Sequence, residues 1–376
     1  MYEHLNLRDW PFQTVPNEEF ASIWAGRRET KQQLDRLLWK MQFAPKSGLH
    51  LLWANFGMGK THTLLHLQHL CRQTQGRLVP VFAVMPRRSR GFLDLYRVIV
   101  SELPFQFLGD QLIKVGSKWP ESLTLHPMFR KSPGIVNAIL SIRSGEAERG
   151  TAGRQWLMGQ PGLTSSNLKS VGVTYRIKTP EDALAALAAL TRLITFQKDP
   201  PTKLVLMIDE FQRIGELTPR IMNEVNAGLH SYYNEHPTGL ELILSFSFGR
   251  KENVEFLLSD ELKSRAEPQS ISLDILNRAE ANEFLRELLA QFRLRDDTHW
   301  AYPFSPEAIH ALVQRISETK TLTPRRLMLY ANHVLLESQY AHGPGYSGEI
   351  TADETLELLA DPQLGDMDVE EPNGSG

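Results

Sequence analysis

Apolar positions along this chain follow two rhythms. Compact apolar runs bounded by turn formers occur at Leu49-His-Leu-Leu-Trp53, at 77–84, and at 203–208, 240–246 and 269–273. Each predicts a strand, and the run at 203–208 is apolar enough to be buried on both faces, as parallel strands are. Pro80 inside the second run points to a sheet edge. Helical spacing appears at Leu34, Leu37, Leu38 and Met41, and again at Leu64, Leu65 and Leu67. It continues at 91–108, around 134–149, at 153–159 and at 180–197, where Ala183 to Leu190 is a strongly helix-forming stretch. The segments 115–133 and 160–172 are rich in Gly, Pro and Ser and read as loops. Beyond Asp274 the pattern is helical throughout: Arg278 to Phe292, Pro306 to Ile316, Thr323-Pro324 to about Tyr340, and Thr351 to Ala360.

These elements predict an α/β chain, a three-layer αβα core followed by an all-helical lid. The expected domains are a strap at 1–24, organised around Trp10-Pro11-Phe12, Phe20 and Trp24, and a core at 25–273 with a helical insertion at about 91–197. A lid at 274–342 follows, then a C-terminal helix and an acidic tail at 343–376, the tail expected to be disordered.

Composition narrows the class. The chain has 376 residues, 41% hydrophobic and 23% charged, with a net charge of −3, as expected of a globular protein without a general attraction for nucleic acid. A lone cysteine, Cys71, offers no intrachain disulfide and favours a reducing, cytoplasmic setting. The first residues lack a signal-peptide pattern, and no apolar run reaches the length of a membrane span.

Candidate chemistry starts where the first strand meets its helix, in Ala54-Asn55-Phe56-Gly57-Met58-Gly59-Lys60-Thr61-His62. Gly57 and Gly59 allow consecutive N–H groups to turn inward toward phosphate oxygens, and the helix N-terminus behind them adds partial positive charge. This spacing is that of a phosphate-binding P-loop, with Ala54 where a glycine is usual. Lys60 is expected on the β- and γ-phosphates and the Thr61 hydroxyl on Mg²⁺.

About 150 residues later the third strand ends in Asp209-Glu210. Ligands of open α/β sheets bind at that end of the strands. Asp209 is expected in the Mg²⁺ shell and Glu210 as the base that orients and deprotonates the attacking water. The fourth strand ends in Ser245 and Ser247 instead of acids; either hydroxyl could sense the γ-phosphate or satisfy a strand-end backbone group. Arg265 precedes the fifth strand. Arg87, Arg88 and Arg90 form the densest positive cluster, either a solvated loop or a contact for the phosphodiester backbone of double-stranded DNA.

Taken in order, the two phosphate-site motifs, the serine-ended strand, the arginine and the Pro-Arg-Arg-Leu helix resemble the AAA+ ATPases over about residues 20–340. The likeness is nearest to their initiator and transposition-regulator branch, and Gly26-Arg27-Arg28-Glu29 is similar to an adenine-side motif there. The resemblance implies ATP and Mg²⁺ as ligands and sensor 1 at Ser247, with Ser245 as alternative. It also implies a trans-acting arginine finger at Arg265 and sensor 2 at Arg325, with Arg326 as alternative. The segment Arg154-Gln-Trp156-Leu157-Met-Gly159 and the Gly172-Val173 turn look like ATPases of bacterial phage-exclusion (BREX-type) systems. The Trp-Pro-Phe opening is similar to ATPases that choose transposon targets. Fewer than 40 residues follow the lid, too few for the winged-helix domain of replication initiators.

By resemblance, then, the chain is expected to hydrolyse ATP in a nucleotide-dependent homo-oligomer, as a DNA-associated regulator or loader. Its partner would be a transposase, a nuclease or a modification enzyme. The competing expectation is a signalling or scaffold ATPase that binds a protein partner without DNA.

Overall fold

The computed structural model describes residues 2–360 apart from 120, 200, 249, 250, 269, 297 and 344; the expected acidic tail lies outside them. In chain order the elements are α1 (Arg28–Phe43), β1 (Gly48–Ala54), α2 (Lys60–Arg72) and β2 (Leu78–Val84). Six helices follow: α3 (Phe92–Ser101), α4 (Phe105–Ser117), α5 (Gly134–Arg143), α6 (Ala147–Leu157), α7 (Ser165–Val171) and α8 (Pro180–Ile194). Then come β3 (Lys203–Asp209), α9 (Pro219–Asn234), β4 (Leu240–Phe246), α10 (Lys251–Leu257), α11 (Asp260–Lys263) and β5 (Ile271–Leu273). The chain closes with α12 (Arg278–Phe292), α13 (Pro306–Thr319), α14 (Pro324–His342) and α15 (Ala352–Leu358).

The chain divides into two compact units: Asp35–Trp53 with Leu70–Ile271, and Met1–Leu34 with Ala54–His69 and Ser272–Gly376. The five strands form one sheet of order β2-β3-β4-β1-β5. β1 pairs with β4, β4 with β3, and β3 with β2, all in parallel. Pro80 sits, as expected, on an edge strand, where a missing N–H costs the ladder least. β3 and β4 are buried along their whole length, which explains their unbroken apolar character.

The sheet unit has one continuous core, in which Leu95, Tyr96 and Ile99 of α3 and Ala186 and Leu190 of α8 join Leu204, Leu206 and Ile208 of β3. The long helical insertion therefore shares the sheet's own core. Trp156 is fully buried, its indole donating to the Tyr175 carbonyl at 2.6 Å. A side chain at Gly134 would collide with that ring at 2.7 Å. The Tyr96 hydroxyl donates to the Leu157 carbonyl, and Gly172 ends α7 in the left-handed conformation. Residues singled out from the insertion's motif thus carry packing duties.

Several helix limits in the insertion differ from the expected ones. The stretch 91–108 is two helices, because Pro104 lacks the N–H that would continue α3. Gly145, at φ +78°, separates α5 from α6 inside the expected 134–149 helix. The expected loop at 160–172 contains α7, whose start is fixed by a reciprocal capping box between Thr164 and Asn167.

One polar group is enclosed where the strands begin. Glu241 of β4 accepts from Lys203 of β3 at 2.6 Å and pairs with His50 of β1 at 2.9 Å. All three are buried. A one-residue slip of any of these strands would leave a charge without its partner, so the trio specifies the register.

The other unit has its own core, built from α12, α13 and α14 with Leu5, Leu7 and Phe12 from the N-terminal segment. The aromatic strap belongs here: Tyr2 packs on Trp10, Phe12 on Phe304 and Phe20 on Phe292. Among the described residues no helix is long and apolar enough to cross a membrane.

Candidate functional site

Two groups of the expected residues are assembled, one in each unit. In the helical unit the phosphate loop runs from Ala54 to Gly59, with Gly57 at φ +77° and Gly59 at φ +89°. A Cβ at Gly59 would meet nothing within 4 Å. Glycine is therefore required there by backbone conformation and not by crowding. Two left-handed glycines beside a helix start are the backbone pattern from which anion-binding loops are built. Lys60 and Thr61 open α2, and Lys60 is buried.

The start of α14 lies against this loop. The Arg325 N–H donates to the Gly57 carbonyl at 3.3 Å, and a Cβ on Gly57 would stand 3.4 Å from the Thr323 hydroxyl. The Arg325 guanidinium covers the Phe56 ring at 4.8 Å. Arg326 turns elsewhere, donating to the Thr321 carbonyl and hydroxyl. Of the two arginines, Arg325 is the one held beside the phosphate loop.

Gly26 and Arg27 are also brought in. Both adopt positive φ, +62° and +48°, a pair of left-handed residues that turns the chain sharply into α1. Glu287 accepts from the Gly26 N–H at 2.7 Å, Trp24 donates to the Gly26 carbonyl at 2.9 Å, and Glu283 pairs with Arg28. The Arg27 guanidinium lies 3.7 Å from the Met58 sulfur of the phosphate loop. Burial lowers its pKa, while Asp274 and Glu280 pull it back up.

His62, expected among the ligand-binding residues, has a structural duty in this unit. Its Nε2 bonds the Ile23 carbonyl at 2.8 Å, and one turn later His66 bonds the Ala21 carbonyl at 2.8 Å. Burial lowers both imidazoles below the ordinary histidine range, so both stay neutral and donate. With Trp24 packed 4.9 Å from the His66 ring, they fasten the segment leading to Gly26 onto α2.

In the sheet unit the second group forms where β3 and β4 end. Asp209 is buried, and its Oδ1 accepts from Ser245 Oγ at 2.7 Å and from the Glu210 N–H at 2.8 Å. Glu210 is at φ +55°, a conformation rare without glycine. Its Oε2 accepts from Gln212 at 2.9 Å and faces Arg213 at 3.4 Å, while its Oε1 accepts from Ser247 Oγ at 3.3 Å. The two serines therefore divide the work: Ser245 orients Asp209 and Ser247 orients Glu210. Gln212 also receives the Ser247 N–H at 3.0 Å, and Arg213 is anchored on the Met85 carbonyl at 2.7 Å. Gln212 and Arg213 were not legible as site residues, since the six residues after Glu210 form a 3-10 helix without helical or strand periodicity.

Within the sheet unit, Arg265 stands apart from the Asp209–Glu210 group. Arg265 is exposed just after α11, and the next residue, Ala266, bridges to Leu49 near the start of β1. That is the sheet edge opposite the one where Asp209 emerges. Arg87, Arg88 and Arg90 are exposed on the turn after β2, at the Asp209 edge.

Each group by itself has the chemistry a nucleotide with a divalent cation calls for: a glycine loop followed by a lysine and a threonine in one unit, and a buried carboxylate oriented by a serine in the other. Among the described residues no group of three or more His, Cys, Asp or Glu side chains forms a metal site.

No protein-family model matches the sequence, and no curated protein does. Solved structures do. The Aeropyrum pernix ORC1 protein in complex with DNA is similar over 94% of this chain and 70% of that one, at 10% identity and a TM-score of 0.50. The Aeropyrum pernix ORC2 protein in its ADPNP-ADP complexes covers 95% and 70%, at 13% identity and 0.52. Its ADP form covers 96% and 72%, at 10% identity and 0.51. The likeness is one of fold, a parallel αβα core followed by a helical segment.

Proposed function

We propose that the chain is an AAA+ ATPase whose phosphate loop and Asp209-Glu210 pair serve one ATP·Mg²⁺. The observation that carries this is the sheet order: β1 and β3 flank β4 in parallel. The chain therefore enters the phosphate loop from the same sheet edge at which Asp209 and Glu210 emerge. That edge is where open α/β sheets bind ligands.

Each residue then has a task. The loop N–H groups and Lys60 hold the β- and γ-phosphates, and Arg325 approaches the triphosphate from α14. Thr61 and Asp209 would hold the metal, which would supply charge neutralisation at the phosphate oxygens. Glu210 orients the attacking water and takes its proton, with Ser247 and Gln212 fixing its carboxylate. Gly26 and Arg27 would lie on the adenine side of the nucleotide. Arg265, at the far edge of its own sheet, is out of position for its own chain's carboxylates. It is suited to complete the site of a neighbouring copy in a ring or filament.

The working role is that of a DNA-associated regulator or loader, recruiting a transposase, nuclease or modification enzyme in its ATP state. The neighbours named for DNA and nucleotide complexes support this direction, and the exposed Arg87, Arg88 and Arg90 supply the basic contact. Size-exclusion chromatography in a non-hydrolysable ATP analogue, with and without duplex DNA, tests it. The expected result is DNA-dependent assembly that weakens with salt and is lost on Arg87, Arg88 and Arg90→Ala. Assembly indifferent to DNA would support the signalling or scaffold role instead.

A further inference from the structure

The sheet unit carries a second basic surface that the nucleotide reading does not use. Arg36, Trp39, Lys40 and Phe43 stand at i, i+3, i+4 and i+7 of α1, one face of the helix. The opposite face, with Leu37 and Met41, is buried. Trp39 is 62% exposed and Phe43 53% exposed, their rings 5.4 Å apart. Arg77, immediately before β2, covers the Phe43 ring at 5.8 Å. Lys46, exposed, follows three residues beyond Phe43.

Large aromatics left in water on a helix exterior usually await a partner. Three features say which. The rings are edged by Arg36, Lys40 and Arg77, with Lys46 beyond, while the acids of α1 are Asp35 beside them and Glu29 at the helix start. That surplus of basic groups favours an anionic occupant. The rings are flat and adjacent, suited to the faces of bases. A duplex hides those faces in its stack, whereas an unpaired strand presents them. We propose that this face binds single-stranded DNA, with bases stacking on Trp39 and Phe43 and the backbone neutralised by Arg36, Lys40 and Arg77. The choice of DNA over RNA rests on the proposed function; the stacking contact itself does not.

The surface is distinct from the Arg87–Arg90 turn. Phe43 and Arg77 precede β1 and β2, whereas Arg87 follows β2 at its other end. The length of that seven-residue strand, roughly 20 Å at the usual rise, separates them.

The test is a nucleotide-free titration of the full chain with a labelled 20-base oligothymidylate, read by anisotropy and by tryptophan quenching. Binding is expected to weaken fivefold or more in Trp39→Ala and in Phe43→Ala. Trp39→Phe should bind nearly as tightly but lose the quench. Arg36→Gln and Arg77→Gln should lower the salt dependence. Wild-type affinity in both alanine variants would overturn the proposal. So would equal competition by polyglutamate, which points to an acidic protein partner, or self-association abolished by Trp39→Ala, which points to a contact between copies. Tighter binding of oligouridylate would overturn the choice of DNA. Because no ATP is present, a failure of the ATPase reading leaves these outcomes unchanged.

Discussion

The guanidinium of Arg325 rests on the ring of Phe56, 4.8 Å from its centroid, and so ties the first turn of α14 to the phosphate loop. A half-exposed cation–π contact is worth about 0.5–1 kcal/mol. It holds Arg325 in one place, so less side-chain freedom remains to be lost when a γ-phosphate binds. Phe56→Ala should therefore weaken ATP binding about two- to fivefold, on the free-energy scale of that contact. ADP binding should change less, Phe56→Tyr should restore the difference, and in an Arg325→Ala background Phe56→Ala should add nothing. Titration of a fluorescent ATP and ADP pair reads all of these; equal losses for ATP and ADP would remove Phe56 from this role.

Glu210 is held by Ser247, Gln212 and Arg213, an arrangement that aims a carboxylate without neutralising its function as a base. Glu210→Gln should keep ATP affinity within about threefold while lowering turnover by about 100-fold or more, the range for a lost general base. Phosphate release measured beside equilibrium binding gives both numbers. Undiminished turnover would take Glu210 out of the chemistry.

His236 gives the fold a pH dependence. Burial pushes its imidazole down to about 4, with Arg192 adding to the effect. The folded value lies below the unfolded one, so the unfolded chain takes up the proton first as pH falls. Stability from the neutral ring is present above about pH 6.5 and is lost from there toward pH 4. Between pH 7 and pH 5 the loss should be about 2 kcal/mol, read from urea midpoints. His236→Phe should reduce it by nearly that amount, leaving a remainder from His62 and His66, which burial also lowers. An unchanged pH profile in His236→Phe would contradict this.

Cys71 lies inside the sheet unit, and burial raises its thiol to about 12. Thiolate is then scarce at neutral pH, and the residue should resist alkylation in the folded protein. Iodoacetamide followed by intact mass should show no adduct until denaturant is added; rapid native labelling would contradict the burial.

Much of this was readable from the sequence, for identifiable reasons. The strands at Lys203–Asp209 and Leu240–Phe246 are buried on both faces, and their apolar runs mark them without ambiguity. The helices from Arg278 onward carry a clear 3.6-residue period and start at Asn277, Ser305 and Thr323 caps. The short α7 leaves no apolar period in the sequence because a capping box, and not an apolar stripe, fixes it. α9 lies outside the expected elements although it opens on Thr218-Pro219, the same start signal as Thr323-Pro324. At the site, spacing alone marks the phosphate loop. The braces of Glu210 and the Phe56–Arg325 contact depend on tertiary placement, which leaves no local period in the sequence.

The central claim is that the phosphate loop and Asp209 serve the same metal-bound nucleotide. Equilibrium ATP binding with and without Mg²⁺, for wild type, Lys60→Ala and Asp209→Asn, addresses it most directly. The account predicts that Mg²⁺ tightens binding in wild type, that Asp209→Asn abolishes this gain, and that Lys60→Ala weakens binding in both conditions. An Asp209→Asn protein that keeps the full Mg²⁺ gain would contradict it.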